Sequence, residues 1–143
     1  MDSTKGFETT SFAVVASDYQ IKNFGFEIDD IACPCCGKYK IDVHLLLVAK
    51  TVLNIFKKLH PTSFCRCWKH HVEIYGGKEP PALSAHLIEL KDGRSVICRG
   101  FDMSGTLEDI REAKAHLSSW YGGFGYYEKP ICIHLDLGRK RAW

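Results

Sequence analysis

The sequence has almost no imbalance of charge. Its 143 residues carry 19 lysines and arginines against 17 aspartates and glutamates, a net charge of +2. That balance gives no electrostatic footprint for nucleic acid. The one basic cluster, Arg139-Lys140-Arg141, reads as a solvated tail, with a polyanion contact as the alternative. Long hydrophobic runs are missing as well. The longest, residues 43–49, contains His44 and falls well short of the roughly 20 apolar residues that a membrane helix needs. The opening MDSTKGFETTSF has no basic stretch followed by an apolar one, so synthesis in the cytoplasm without a signal peptide is expected. Repeats and low-complexity segments are also lacking. The seven cysteines are an odd number, so they cannot all pair with one another, and reduced thiols are expected in that compartment.

The length suits one domain spanning residues 1–143, large enough to bury about 68–70% of its unfolded surface without disulfides. Residues 1–11 are polar and expected to be flexible. Residues 11–16 and 24–31 read as strands, the second by its alternation of apolar and polar positions. Cys33-Pro34-Cys35-Cys36-Gly37 reads as a compact turn. Asp42 is a candidate N-cap. Leu45, Leu46, Ala49, Val52, Leu53 and Phe56 then follow at helical spacing, and the helix is expected to run until Pro61 stops it. Residues 62–67 read as a short strand and residues 68–83 as a long loop containing Gly76-Gly77 and Pro80-Pro81. A second helix is expected from Thr106, with Asp109 completing a capping box, to Leu117. A glycine- and aromatic-rich turn over residues 121–127 leads into a strand, and residues 131–137 form the last one. The fold class is α+β, with two main helices on one antiparallel sheet.

Residues 86–99 read as a hairpin around Lys91-Asp92-Gly93-Arg94. With Asp92 and Gly93 as the loop, Leu90 pairs with Ser95, Ile88 with Ile97, and His86 with Arg99. The chain then returns beside His86 just before Asp102.

His86, Asp102 and His134 supply two imidazoles and one carboxylate, a donor set that suits zinc with an open position for water. Residues i and i+2 of a strand face the same way, so Asp136 can approach whatever His134 binds and act as general acid/base. The pattern leaves an alternative open: His86 and His134 as hydrogen-bonded core histidines and Asp102 as a turn cap. Cys33, Cys36, Cys65 and Cys67 are spaced as CxxC and CxC, which fits either a structural zinc site or buried thiols packing a turn on a strand. Cys98 and Cys132 read as core. Nothing around the seven suggests an activated thiolate.

The order of these parts resembles the zinc D-Ala-D-Ala carboxypeptidase-like peptidases of the hedgehog/D,D-peptidase fold, especially small bacteriophage and prophage members that cut peptidoglycan stem peptides. The resemblance runs from about Phe26 to Trp143. It rests on the Cys33–Gly37 turn, the helix from Asp42, Arg66-Cys67, Gly76-Gly77, and Ser84-Ala85-His86. It continues through Gly100-Phe101-Asp102, Gly123-Phe124-Gly125-Tyr126, His134-Leu135-Asp136 and Arg141-Ala142-Trp143. It implies zinc on His86, Asp102 and His134, with zinc-activated water as nucleophile. Arg66 would hold a substrate carboxylate or carbonyl, a task that suits a guanidinium fork. Asp136 would be the acid/base, with Glu128 as its rival, and Ser84 would line the substrate groove; Tyr126 and Trp120 either line that groove or pack in the core.

The chain departs from the family's SxHxxGxAxD motif by placing fifteen residues rather than six between the histidine and the aspartate. The hairpin explains the excess as an insertion, and Asp92 is the rival ligand if it does not close. His70-His71 stand where the family often has asparagine. The implied function is zinc-dependent hydrolysis of peptidoglycan peptide by a monomer, acting on the wall after release or as part of a virion. The alternative is a non-catalytic zinc-binding or virion-structural module of the same fold. No nucleic-acid or membrane-spanning partner is expected.

Overall fold

The computed structural model describes residues 12–143. The expected flexibility of residues 1–11, and the start of the strand expected at 11–16, lie outside the described residues. The rest of that strand is reduced to a bridge between Val15 and Asp42, with the Ala16 N–H donating to the Ile41 carbonyl at 2.8 Å.

Two short helices follow, α1 (Asp18–Asn23) and α2 (Ile28–Ile31), and the second stands where a strand was expected at residues 24–31. Each is started by a reciprocal capping box, Ser17 with Gln20 and Glu27 with Asp30. Such boxes satisfy the free N–H groups of a first turn and outweigh the alternation that suggested a strand. Ile21, Phe26 and Ile31 turn inward.

The helix predicted from Asp42 forms as α3 (Val43–Ile55), with the Asp42 carboxylate accepting from the His44 N–H. Its stripe Leu45, Leu46, Ala49 and Val52 is buried. It ends at Ile55 rather than near Pro61. A turn follows, with the Leu59 N–H on the Phe56 carbonyl at 3.0 Å, and His60 and Pro61 open strand β1 (His60–Ser63). β1 is the sheet's edge, where a missing N–H is tolerated. The expected strand at 62–67 is therefore displaced towards the N-terminus.

The long loop expected at 68–83 begins instead with α4 (Trp68–Ile74). Its cap is the Cys67 sulfur, which accepts from the His70 N–H at 3.4 Å, a capping residue that sequence rules do not anticipate.

The remaining elements are β2 (Gly100–Ser104), α5 (Leu107–Leu117), β3 (Gly123–Glu128), β4 (Ile131–Asp136) and β5 (Arg141–Ala142). α5 starts with the expected Thr106–Asp109 box. The sheet order is β1-β2-β4-β3-β5. It is antiparallel except for β3 and β5, which run parallel, so the sheet is mixed rather than wholly antiparallel. The supposed C-terminal tail thus contributes an edge strand.

The period of two along each strand separates the sheet's faces. Phe101, Met103, Phe124, Ile133 and Leu135 are buried with residues of α3 and α5 in the core. Phe64 stacks on Phe101 at 5.5 Å. The opposite face carries Asp102, Gly123, Gly125, His134 and Asp136.

Residues 86–99 close as a looser excursion than a regular hairpin. Gly93, at φ +88°, ends a three-residue loop. Its N–H donates to the Leu90 carbonyl and the Leu90 N–H to that of Arg94, both at 2.9 Å. A type I turn followed by a left-handed glycine gives this form. The register is one residue from that expected: Glu89 faces Ser95, and the Arg99 N–H reaches the Ala85 carbonyl at 2.8 Å. A one-residue slip exchanges the faces of a strand. Arg99 is directed into the protein, where its Nε meets the buried Asp42 Oδ2 at 3.0 Å.

Candidate metal centre

Asp102 in β2 stands directly opposite His134 in β4. His86 arrives from outside the sheet. Its carbonyl accepts from the Arg66 N–H at 2.8 Å, and its N–H donates to Ser84 Oγ at 3.3 Å. Asp102 Oδ1 lies 3.1 Å from His86 Nε2 and 2.8 Å from His134 Nδ1. The excursion over residues 87–101 therefore returns Asp102 to His86. Asp92 is exposed in the hairpin loop, paired with Arg94, and is not part of the cluster.

The outer nitrogen of each imidazole has its own acceptor. His86 Nδ1 meets the Phe64 carbonyl at 2.7 Å, and His134 Nε2 meets Asp136 Oδ2 at 2.7 Å. A proton on each outer nitrogen leaves His86 Nε2 and His134 Nδ1 as lone-pair donors facing Asp102. Metal-binding histidines are held in this way by an outer acceptor that fixes tautomer and ring orientation.

The three donor atoms lie within 4.8 Å of one another. Zinc bonds of about 2.0–2.2 Å in a tetrahedron separate ligand atoms by roughly 3.4 Å, so little adjustment is needed. The residues fit a zinc ion, and the donor set of two nitrogens and one carboxylate leaves a fourth position open.

The charges agree. Burial opposes ionisation of Asp102, but His86 and His134 outweigh it and hold the carboxyl far below its usual range. Burial would lower His134, yet its bonds to Asp102 and Asp136 push it up to about 9.

Asp136 does not have the freedom expected of an acid/base. It is fully buried. Oδ1 accepts from the N–H groups of Gly123 at 3.1 Å and Gly138 at 2.9 Å. Arg141 grips both oxygens, at 3.0 and 2.9 Å, and His134 takes the rest of Oδ2. Burial raises its pKa, but His134 and then Arg141 bring it down to about 2. Asp136 is an orienting carboxylate with its acceptor sites filled. Arg141, read from sequence as part of the basic tail and of the Arg141-Ala142-Trp143 element, was given no role there; the structure sets it on Asp136. A basic residue five positions after His-x-Asp was the available signal.

The glycines of β3 make this packing possible. A Cβ at Gly123 would lie 2.4 Å from both Asp136 carboxylate oxygens, and one at Gly125 would lie 2.7 Å from the Trp143 ring. The Trp143 ring lies 5.3 Å from that of His134.

A cleft of about 450 Å³ opens over the cluster, with Arg66, Tyr75, Ser84, Tyr127, Cys132 and Trp143 in its walls. Arg66 and Ser84 are thus placed as expected. Arg66 is buried, its Nη1 meets His71 Nδ1 at 3.2 Å, and its Nε is the one buried side-chain polar atom without a partner among the described residues. His71 is buried in turn and donates Nε2–H to the Pro81 carbonyl at 2.9 Å, so it supports Arg66 and is no loop residue.

Of the two places open to Tyr126, the structure gives it the core. It shares the core side of β3 with Phe124, its hydroxyl meets Glu128 at 2.5 Å, and Tyr127 takes the cleft position. Glu128 is exposed, pairs with Arg111 at 3.1 Å, and is not in the cleft. Trp120 donates its indole N–H to the Asp136 carbonyl at 2.9 Å and supports the strand end.

Among the cysteines, Cys33, Cys36 and Cys67 come together as a second group able to hold a metal ion. Cys65 is buried in the core instead.

No family model matches this chain, and comparison with curated proteins and with solved structures returns no match.

Proposed function

We propose that the chain is a zinc-dependent peptidase acting on the stem peptides of bacterial peptidoglycan, of the D-Ala-D-Ala carboxypeptidase-like type with the hedgehog/D,D-peptidase fold. The observation that carries the metal part is the pair of outer acceptors, the Phe64 carbonyl and Asp136, which turn His86 Nε2 and His134 Nδ1 towards one oxygen of Asp102. The sequence resemblance carries the substrate.

When bound, zinc supplies Lewis acidity towards a carbonyl and lowers the pKa of coordinated water to about 7. The chain's own groups do the rest. Arg66, partly desolvated and with Nε unpartnered, is poised to take a peptide carboxylate or carbonyl in the cleft. Its charge-assisted bonds would be stronger than neutral ones, and His71 keeps the guanidinium in place. Asp136 holds His134 in register. Trp143 and Tyr127 wall the cleft against water.

One observation favours the second reading, a metal-holding module without activity or a virion-structural one. Among the described residues the only carboxylates in the cleft wall are Asp102 and Asp136, one a candidate ligand and the other saturated, so none of these residues offers a free carboxylate as proton acceptor.

Metal content measured by elemental analysis, together with lysis of purified cell walls, separates the readings. The peptidase predicts wall lysis and zinc bound at the histidine site, with lysis and that one equivalent of zinc lost in His134→Ala, and Arg66→Ala that keeps zinc and loses lysis. Zinc without lysis in wild type leaves the module. No zinc at the histidine site overturns both.

A further inference from the structure

The turn at residues 33–37 is built around one sulfur. Gly37, at φ +74°, lets the chain fold back so that its N–H meets the Cys33 carbonyl at 2.8 Å. The Cys67 N–H points at Cys33 Sγ from 3.4 Å. Burial opposes ionisation of Cys33, but backbone N–H groups of Cys67, Cys35 and Cys36 outweigh it and bring the thiol below its ordinary value, whereas burial first holds Cys36 and Cys67 above theirs. Cys36 stands three residues on, exposed, while Cys33 and Cys67 are buried. All three are free thiols, and their sulfurs lie within 4.8 Å of one another. Zinc–sulfur bonds of about 2.3 Å in a tetrahedron set sulfurs roughly 3.8 Å apart, so modest side-chain movement would bring them to coordination distance.

We propose that Cys33, Cys36 and Cys67 form a second metal site, which takes a thiophilic divalent ion, zinc in the first place, through three thiolates with solvent in the fourth position. The inference does not depend on the peptidase reading. Sulfur donors select zinc and reject magnesium and calcium. N–H groups directed at a ligand sulfur stabilise the thiolate that coordination requires. Binding releases the thiol protons to solvent. The site joins the 33–37 turn to the residue that follows Arg66, and Arg66 in turn holds the His86 carbonyl. An ion here would therefore fix the wall of the cleft from behind. Cys65 takes no part. It lies next to Cys98, which burial holds well above the ordinary thiol range.

The test is cobalt titration of the reduced full chain, read by sulfur-to-cobalt charge-transfer absorption in the near ultraviolet, with zinc content measured in parallel. Wild type should bind two equivalents and show the absorption. Cys67→Ser and Cys36→Ser should each lose one equivalent and the absorption. His134→Ala should keep the absorption while losing the other equivalent. Cys36 is exposed, so its serine variant serves if Cys67→Ser does not fold. Absence of the charge-transfer band in reduced wild type, or its persistence in Cys36→Ser, overturns the site and leaves the histidine centre untouched.

Discussion

His134 and Asp136 lie two residues apart on one strand and share a 2.7 Å hydrogen bond between Nε2 and Oδ2. The strand's period of two puts both on the cleft face. It also makes the histidine's free nitrogen point at Asp102, so the carboxylate that looked like a catalytic group is the one that aims a ligand.

Asp136→Asn keeps the size of the side chain and removes the charge. The expected result is a 10–100-fold loss of metal affinity, as for other outer-shell partners of ligand histidines, accompanied by a lower Tm because the ion pair between Arg141 and Asp136 is lost. Metal affinity by competition with a chelator, alongside Tm, checks it. Undiminished zinc with abolished wall lysis would restore the acid/base role instead.

Gly123→Ala sets a methyl group against the Asp136 carboxylate, which is fixed from five directions and cannot yield. Destabilisation of about 1–3 kcal/mol is expected, the usual range for overpacking. In a chain of this size that shifts Tm by roughly 2–4 °C per kcal/mol. Gly93→Ala, on the exposed hairpin where a Cβ meets nothing within 4 Å, should cost less and act only through its positive φ. Thermal melts of the two variants make the comparison.

Arg99 and Asp42 form a buried pair that ties the end of the hairpin to the cap of α3. Arg99→Ala takes the cation from Asp42 Oδ2 and leaves the buried carboxylate only its Oδ1 bonds to His44, a loss of up to about 3–5 kcal/mol. Arg99→Met should be milder. In both variants metal affinity at the histidine centre should fall as well, because Arg99 closes the excursion that returns Asp102 to His86. Denaturant unfolding and metal titration provide the two readings.

His71 is kept below its ordinary value of 6.5 by burial first and by the neighbouring Arg66 charge, against the pull of the Pro81 carbonyl. Its folded pKa is depressed, so the unfolded chain takes up the proton first as pH falls. The stability it contributes is complete above about pH 6.5 and declines below it towards the folded pKa, with a slope of at most about 1.36 kcal/mol per pH unit. His71→Gln should flatten that part of the pH–stability profile. It should also weaken substrate binding more than metal binding, because it supports Arg66.

Much of the site was legible because its logic is local. Period two predicts that His134 and Asp136 share a face, and the Thr106 box and the Asp42 cap announce the two main helices. The places of Glu128, Tyr126 and Arg141 were left open because they depend on strand pairing. Gly125 opposite His134 sets Tyr127, not Tyr126, on the cleft side, and β5 exists only because β3 offers it an edge. The capping boxes at Ser17 and Glu27 were in the sequence and outweighed the alternation. The Cys67 cap of α4 was not, since sulfur is an uncommon cap.

The sequence by itself determined which donors exist and which neighbours share a strand face, because side-chain direction along a strand follows from covalent geometry. Only the tertiary structure decided that Asp102 comes back to His86 across a fifteen-residue excursion. It also decided that Asp136 is saturated and that three of four candidate cysteines converge. Those outcomes depend on strand register and on which buried polar groups find partners, and no local pattern encodes them.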